Sequence, residues 1–84
     1  MFLYSFKFKK DLRKFPKKLI DKIFEKLRVL EADEFCIILN NHKLHGEYSL
    51  YRSINITGDT RLIYRKEKDN FFLIDIGTHN DLYE

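Results

Sequence analysis

The residues best suited to chemistry in this chain are its three histidines, His42, His45 and His79. Histidine is the side chain that exchanges protons most readily near neutral pH. Arg52, Arg61 and Arg65 fall between the outer two. Proton-transfer groups flanking fixed cations suit RNA cleavage by transesterification. That reaction needs a base for the ribose 2′-OH, an acid for the leaving 5′-oxygen and cations for the charged phosphorane. Each proton-transfer role contributes roughly 10²–10⁴ in rate, and preorganised charge often contributes as much. No histidine is paired with a second ligand at i,i+4 spacing in a predicted helix, so neither a metal nor any other cofactor is expected. A loop histidine is most often a surface residue, and an arginine on a sheet face is most often solvated. Spacing alone leaves both readings open.

Placing these groups on one surface requires a meander. An apolar-alternating strand is expected over residues 48–56, then a turn at Thr57-Gly58-Asp59, a strand over 61–66, a polar turn at 67–70 and a strand over 71–76. Alternation puts Leu50, Arg52, Ile54 and Ile56 on one face of the first strand. The opposite, polar face collects Ser53, Asn55, Arg61 and Arg65. His42 precedes the meander and His79 follows it, so strands that bring their ends together place two histidines beside the arginines.

Upstream, residues 1–4 are apolar and short, as in an edge strand, and Ser5 is placed to cap a helix. Phe8, Leu12 and Phe15 recur at four- and three-residue steps, which predicts a helix over 6–15. Pro16 reads as the first position of a second helix, over 16–32. Its apolar stripe is Leu19, Ile20, Ile23, Phe24, Leu27 and Leu30. The two helices form a hairpin with one apolar face. Periodicity does not decide the short run Phe35–Leu39, which reads as a connector packed on the core.

Eighty-four residues make one small domain, 1–84, with a modest core. Eight Phe and five Tyr argue for a folded core rather than disorder. The single Cys36 excludes an internal disulfide and a multi-cysteine zinc site, and fits a reducing cytoplasm. No apolar run of about 18 residues exists, so no membrane span is expected, and the first residues lack a signal-peptide core. Charge is uneven. Residues 1–30 hold ten Lys/Arg against three Asp/Glu, and the remainder holds six against ten. A basic segment on a nearly neutral body suits phosphate-rich RNA or an acidic protein partner, although a lysine-rich helix face is also a common solvated surface.

Two stretches go further: Tyr51-Arg-Ser-Ile-Asn-Ile-Thr-Gly-Asp-Thr-Arg-Leu-Ile-Tyr64 and Ile76-Gly-Thr-His-Asn-Asp-Leu-Tyr83. This frame resembles the YafQ branch of the RelE superfamily, toxins of type II toxin–antitoxin pairs that cleave messenger RNA, usually on the ribosome. The resemblance runs without a gap from about His42 to the C-terminus. It implies an α+β fold: a short N-terminal strand, a two-helix hairpin on an antiparallel three- to four-stranded sheet, and a short C-terminal helical turn. Asn41-His42-Lys43-Leu44-His45-Gly46 matches the family's Asp-His-Pro-Leu-x-Gly, which gives His42 the role of general base or its electrostatic support. His79 matches the Gly-Thr-His histidine, a general acid. Tyr83 matches the aromatic that stacks on a base, Asp59 the aspartate after the turn, and Arg61 an arginine set against the scissile phosphate. Lys43, Arg52, Asn55 and Arg65 are expected to bind RNA near the site. Lys10, Arg13, Lys14 and Lys17, with their lysine-rich neighbours, are expected to contact ribosomal RNA.

The chain also departs from the family. Ser53-Ile54-Asn55 stands where relatives often carry Asp-x-His, and Asn55 can hydrogen-bond but does not transfer protons. Asp75 stands where many relatives carry arginine. The resemblance therefore implies a cytoplasmic, ribosome-dependent endoribonuclease. Its expected partners are a cognate antitoxin, in a toxin–antitoxin hetero-oligomer, and the ribosome with its mRNA, at the A site of the small subunit; no membrane is involved. The alternatives are a gyrase-directed, ParE-like protein and a degenerate relative that only binds its antitoxin.

Overall fold

The computed structural model describes residues 1–78 and Leu82. Ser5 sets the first junction. Its Oγ accepts from Phe8 N–H at 3.0 Å and donates to the Ile74 carbonyl at 2.8 Å. One side chain thus caps helix α1 (Phe6–Leu12) and ties it to the strand beneath, β5 (Asn70–Thr78). Strand β1 (Phe2–Tyr4) lies just before it and pairs parallel with β5, through Phe2 opposite Phe71. A parallel pair needs a long crossover, which the two helices and the rest of the sheet supply.

Helix α2 (Lys17–Ala32) buries Ile23, Leu27 and Leu30, the inward positions of its stripe. Pro16 is its N-cap, in extended conformation, rather than its first helical residue as expected. The helix expected over 6–15 stops at Leu12. A residue before proline is driven out of the α region, and the chain closes with short turn bonds, Lys14 N–H to Asp11 O and Phe15 N–H to Leu12 O.

The remaining strands are β2 (His42–Lys43), β3 (Arg52–Asn55) and β4 (Thr60–Glu67). Sheet order is β1-β5-β4-β3-β2. The α+β class expected from sequence is borne out. The sheet is larger than the expected three or four antiparallel strands: among the described residues it has five, and it is mixed because β1 joins in parallel. Ile54, Leu62, Tyr64, Phe71, Leu73 and Ile76 pack under the helices with Phe8, Ile23, Leu27 and Leu30. The expected C-terminal helical turn lies outside the described residues apart from Leu82.

Two local expectations fail for a shared reason. The strand expected from residue 48 begins only at Arg52. Residues 46–51 instead close a chain of turns, with Tyr48 N–H to His45 O, Ser49 N–H to Gly46 O and Tyr51 N–H to Tyr48 O. Leu50, which alternation points inward, is 71% exposed. The run Phe35–Leu39 packs only in part. A 3₁₀ turn at Ile37–Leu39 sends Leu39 into the core and leaves Phe35, Ile37 and Ile38 exposed. Turn hydrogen bonds override side-chain pattern in segments this short.

Candidate functional site

The face of the sheet away from the helices carries the candidate site. Register places Ser53 opposite Ile63 and Asn55 opposite Arg61, on the side opposite the core residues Ile54, Leu62 and Tyr64. The polar face expected from alternation is therefore present. Beyond it, β2 adds an edge whose His42 pairs with Ser53. At the other side, β5 carries an irregularity opposite Ile63 and Tyr64. Ile63 faces Asp75 and Tyr64 faces Leu73, so Ile74 is the extra residue. Such a bulge re-aims side chains at a sheet surface.

Between these features lies an open cleft of about 550 Å³. His42, Lys43, His45, Tyr48, Tyr51 and Asp75 supply its polar lining, and Leu44, Ile63, Ile74 and Leu82 its apolar lining. A second groove, lined by Lys7, Asp11, Lys14 and Thr78, shares Asp75 and Leu82 with the first. The start of the helical layer thus borders the cleft, with Lys7 and Lys14 paired to Asp11 and Asp75 there.

The orientation of His42 follows from the residue two before it. Asn40 adopts the left-handed conformation, φ 46°, which asparagine tolerates better than most residues. Its carbonyl lies 3.0 Å from His42 Nδ1. A carbonyl oxygen only accepts, so Nδ1 carries the proton and Nε2 is left as the acceptor. In that tautomer Nε2 is the nitrogen that can take a proton.

Asn41 anchors the same segment from the opposite side of the chain. Its Nδ2 donates to the Glu34 carbonyl at 2.9 Å and to Tyr64 Oη at 2.7 Å, while its Oδ1 accepts from Arg52 Nε at 2.7 Å. Tyr64 in turn donates to Glu34 Oε2 at 2.7 Å, and Lys66 Nζ donates to Glu34 Oε1 at 3.1 Å. Burial, with the Glu34 carboxylate next, pushes the Tyr64 hydroxyl far above its ordinary pKa. Aspartate at position 41 has no N–H to give. Asparagine at this point of the family's motif is explained by the acceptors around it.

Among the expected site residues, His42 and Lys43 line the cleft together. Arg61 points its Nη1 at the carbonyls of Thr57 and Gly58, each at 3.1 Å, and so braces the β3–β4 turn two residues along β4 from Ile63. Asp59 is exposed on that turn, its N–H 3.4 Å from Thr57 Oγ1. Neither lines the cleft. Asn55 sits on the open face with Oδ1 buried and without a partner among the described residues. Arg65 is on that face further along β4, stacked 5.1 Å over Phe72 and donating to Glu67 at 2.9 Å. Arg52 is on the opposite face, in the Asn41 network and 5.1 Å from the Phe35 ring. Lys10, Arg13, Lys14 and Lys17 lie on and after α1. Lys14 is 3.8 Å from Asp11, and Lys17 is 3.2 Å from Asp21. His79 and Tyr83 fall outside the described residues.

His45, Tyr48 and Tyr51 received no role from the sequence, and Asp75 was singled out there only as a carboxylate in place of the family's arginine. The signal was present as a step of three, His42, His45, Tyr48, Tyr51, which a chain of tight turns keeps on one side. Asp75 is not a bare carboxylate facing the cleft, because Lys7 Nζ approaches its Oδ1 to 2.7 Å. The hydrogen bond to Asp11, then that to Asp75, raises the Lys7 pKa.

Residues 2–84 match the family model described as the bacterial toxin of type II toxin–antitoxin system, YafQ. The chain belongs to this family. Solved structures of similar fold include YafQ from E. coli strain BL21(DE3), at TM-score 0.85 and 22% identity, covering 100% of this chain and 98% of that one. The E. coli DinJ–YafQ toxin–antitoxin complex matches at TM-score 0.79 and 24% identity, covering 100% and 97%. The YoeB–YefM complex from Staphylococcus aureus matches at 0.83 and 23%, covering 94% and 95%. No curated protein sequence matches the chain. Membership of the YafQ family accounts for the shared layout of helical hairpin and sheet. The cleft between β2 and β5 is the candidate site of this YafQ-family toxin.

Proposed function

We propose that this toxin is a ribosome-dependent endoribonuclease. It cuts mRNA by acid–base transesterification without a metal, and a cognate antitoxin holds it silent. The observation that carries this reading is the contact of His42 Nδ1 with the Asn40 carbonyl, at 3.0 Å, which turns Nε2 free at the wall of an open, partly basic cleft. His42 Nε2 takes the 2′-OH proton as the 2′-oxygen attacks phosphorus. The bond to the 5′-oxygen breaks, and that oxygen receives a proton from His79. The products are a 2′,3′-cyclic phosphate and a 5′-hydroxyl. Lys43, from the cleft wall, and Arg61, from the start of β4, supply positive charge for the phosphorane.

Lys10, Arg13 and Lys17 give the helical side a basic surface for ribosomal RNA around the ribosome's A site. The DinJ–YafQ and YoeB–YefM complexes support an antitoxin partner, through likeness of fold and family. The test is induced expression in a bacterial host with primer-extension mapping of transcript ends, wild type beside His42→Ala and His79→Ala. Growth arrest with new cuts inside translated frames, lost in both variants, is the expected result. Arrest without cuts points instead to a gyrase-type target, and soluble protein with neither effect points to a binding module.

A further inference from the structure

The His45–Tyr51 segment has a feature that proton transfer does not use. Tyr48 is 55% exposed and lines the cleft, with its ring centroid 6.3 Å from that of Tyr51 and the two planes tilted by 49°. An aromatic ring left in solvent normally forgoes burial that is available to it elsewhere. Here the backbone holds it there. Gly46 takes φ +68°, a left-handed value suited to glycine, and reverses the chain after His45. Three turn bonds follow, and Leu44 N–H to Tyr51 O, at 3.0 Å, closes the loop on itself. The backbone that carries the two rings is therefore set before any ligand arrives. Beside it, the cleft continues in Ile63 and Ile74, with Lys43 on the rim. A volume of about 550 Å³ lies within the range of roughly 300–1,000 Å³ common to small-ligand sites.

We propose that the Tyr48–Tyr51 pair is a nucleobase subsite, on which one base of single-stranded RNA stacks while its ribose faces His42. The assignment rests on the nuclease reading of the cleft and adds the surface that holds the substrate base. An aromatic face accepts any base, because every base has a π-face, and so the subsite supplies affinity and position more than sequence choice. The apolar lining takes the base edge, and the Lys43 cation takes the phosphate.

The test is an NMR titration of the purified toxin with nucleoside 5′-monophosphates, with ribose 5-phosphate as the base-free probe. The expected result is upfield movement of the Tyr48 and Tyr51 ring protons with nucleotides and none with ribose 5-phosphate. Tyr48→Leu should weaken nucleotide binding about tenfold, the size of one base–aromatic stack. Tyr48→Phe and Tyr48→Trp should retain it, which separates loss of stacking from loss of fold. The proposal is overturned if ribose 5-phosphate reproduces the shifts, if nucleotides leave both rings unmoved, or if Tyr48→Leu binds like wild type. This readout does not depend on cleavage. A toxin that cuts transcripts while its rings ignore nucleotides sinks the subsite alone. A toxin that binds nucleotides here yet cuts no transcript sinks the nuclease alone.

Discussion

On the helix-covered side of the sheet, Glu34, Asn41, Arg52, Tyr64 and Lys66 satisfy one another in a single chain of hydrogen bonds that ends on a carboxylate. On the open side, His42, Lys43 and His45 are exposed around a cleft, and Asn55 Oδ1 and Arg65 Nε are buried without partners among the described residues. The two regions meet at consecutive residues, Asn41 and His42. Polar groups that close on each other hold a structure, and polar groups left facing a cleft are available to a ligand. Most buried polar atoms in proteins are paired, so the unpaired ones on the open face are the exception that needs a functional account. The difference also explains why one arginine of the expected set belongs to the fold: Arg52 completes the network, whereas Arg61 and Arg65 share the open side.

Substitutions should therefore separate the two regions by what they damage. The largest effect is expected from His42→Ala, which should lower single-turnover cleavage on programmed ribosomes by about 10²–10⁴-fold. Urea-unfolding free energy should stay within about 0.5 kcal/mol of wild type, as for an exposed residue whose one side-chain hydrogen bond, to the Asn40 carbonyl, lies at the surface.

Tyr64→Phe should do the reverse at neutral pH. It leaves Asn41 Nδ2 and Glu34 Oε2 short of a partner, at a cost of about 1–3 kcal/mol in unfolding free energy. Its pH dependence has a definite sign. The folded-state pKa of Tyr64 is raised, so the stability it contributes is complete below the unfolded tyrosine pKa of about 10 and is lost as pH rises towards the folded value. The gap between wild type and Tyr64→Phe should narrow above about pH 10 in urea titrations. A constant gap contradicts the assignment.

Arg52→Lys sharpens the comparison further. Lysine cannot reproduce the Nε donor geometry, so about 1 kcal/mol of stability should be lost. The salt dependence of ribosome binding should be unchanged, since Arg52 faces away from the cleft. The smallest effect is expected from Lys10→Ala or Lys17→Ala. Each should lower the slope of log affinity against log salt by about 1 if it contacts ribosomal phosphate, with no change in transcript cut positions by primer extension.

The sequence carried α2, β4 and β5 because each is long enough for its periodicity to be set by one buried face. Leu27 and Leu30 inside and Arg28 outside is a pattern that only a helix satisfies. It did not carry β2. A strand of two residues has no period, and its existence depends on Ser53 and Arg52 arriving opposite it. Nor did it carry the turns at 46–51, where Leu50 continued an alternation that the backbone had already left. At the site, residue types picked out His42, and resemblance supplied its role and that of Lys43. The cleft-lining Tyr48 and Tyr51 were hidden because their placement follows a left-handed glycine, and the cleft-lining position of Asp75 because it follows a β-bulge; neither alters side-chain pattern. The pairing of Lys7 with Asp75, sixty-eight residues apart, has no local signal at all.

The most direct test of the open face as a nuclease site is the pH profile of single-turnover cleavage on programmed ribosomes, wild type beside His42→Ala. With His42 Nε2 as base and His79 as acid, the wild-type rate should be bell-shaped in pH, and His42→Ala should lose the limb on the acid side. A wild-type rate that stays flat from about pH 5 to 9 contradicts two-histidine catalysis and leaves fixed positive charge as the main source of rate.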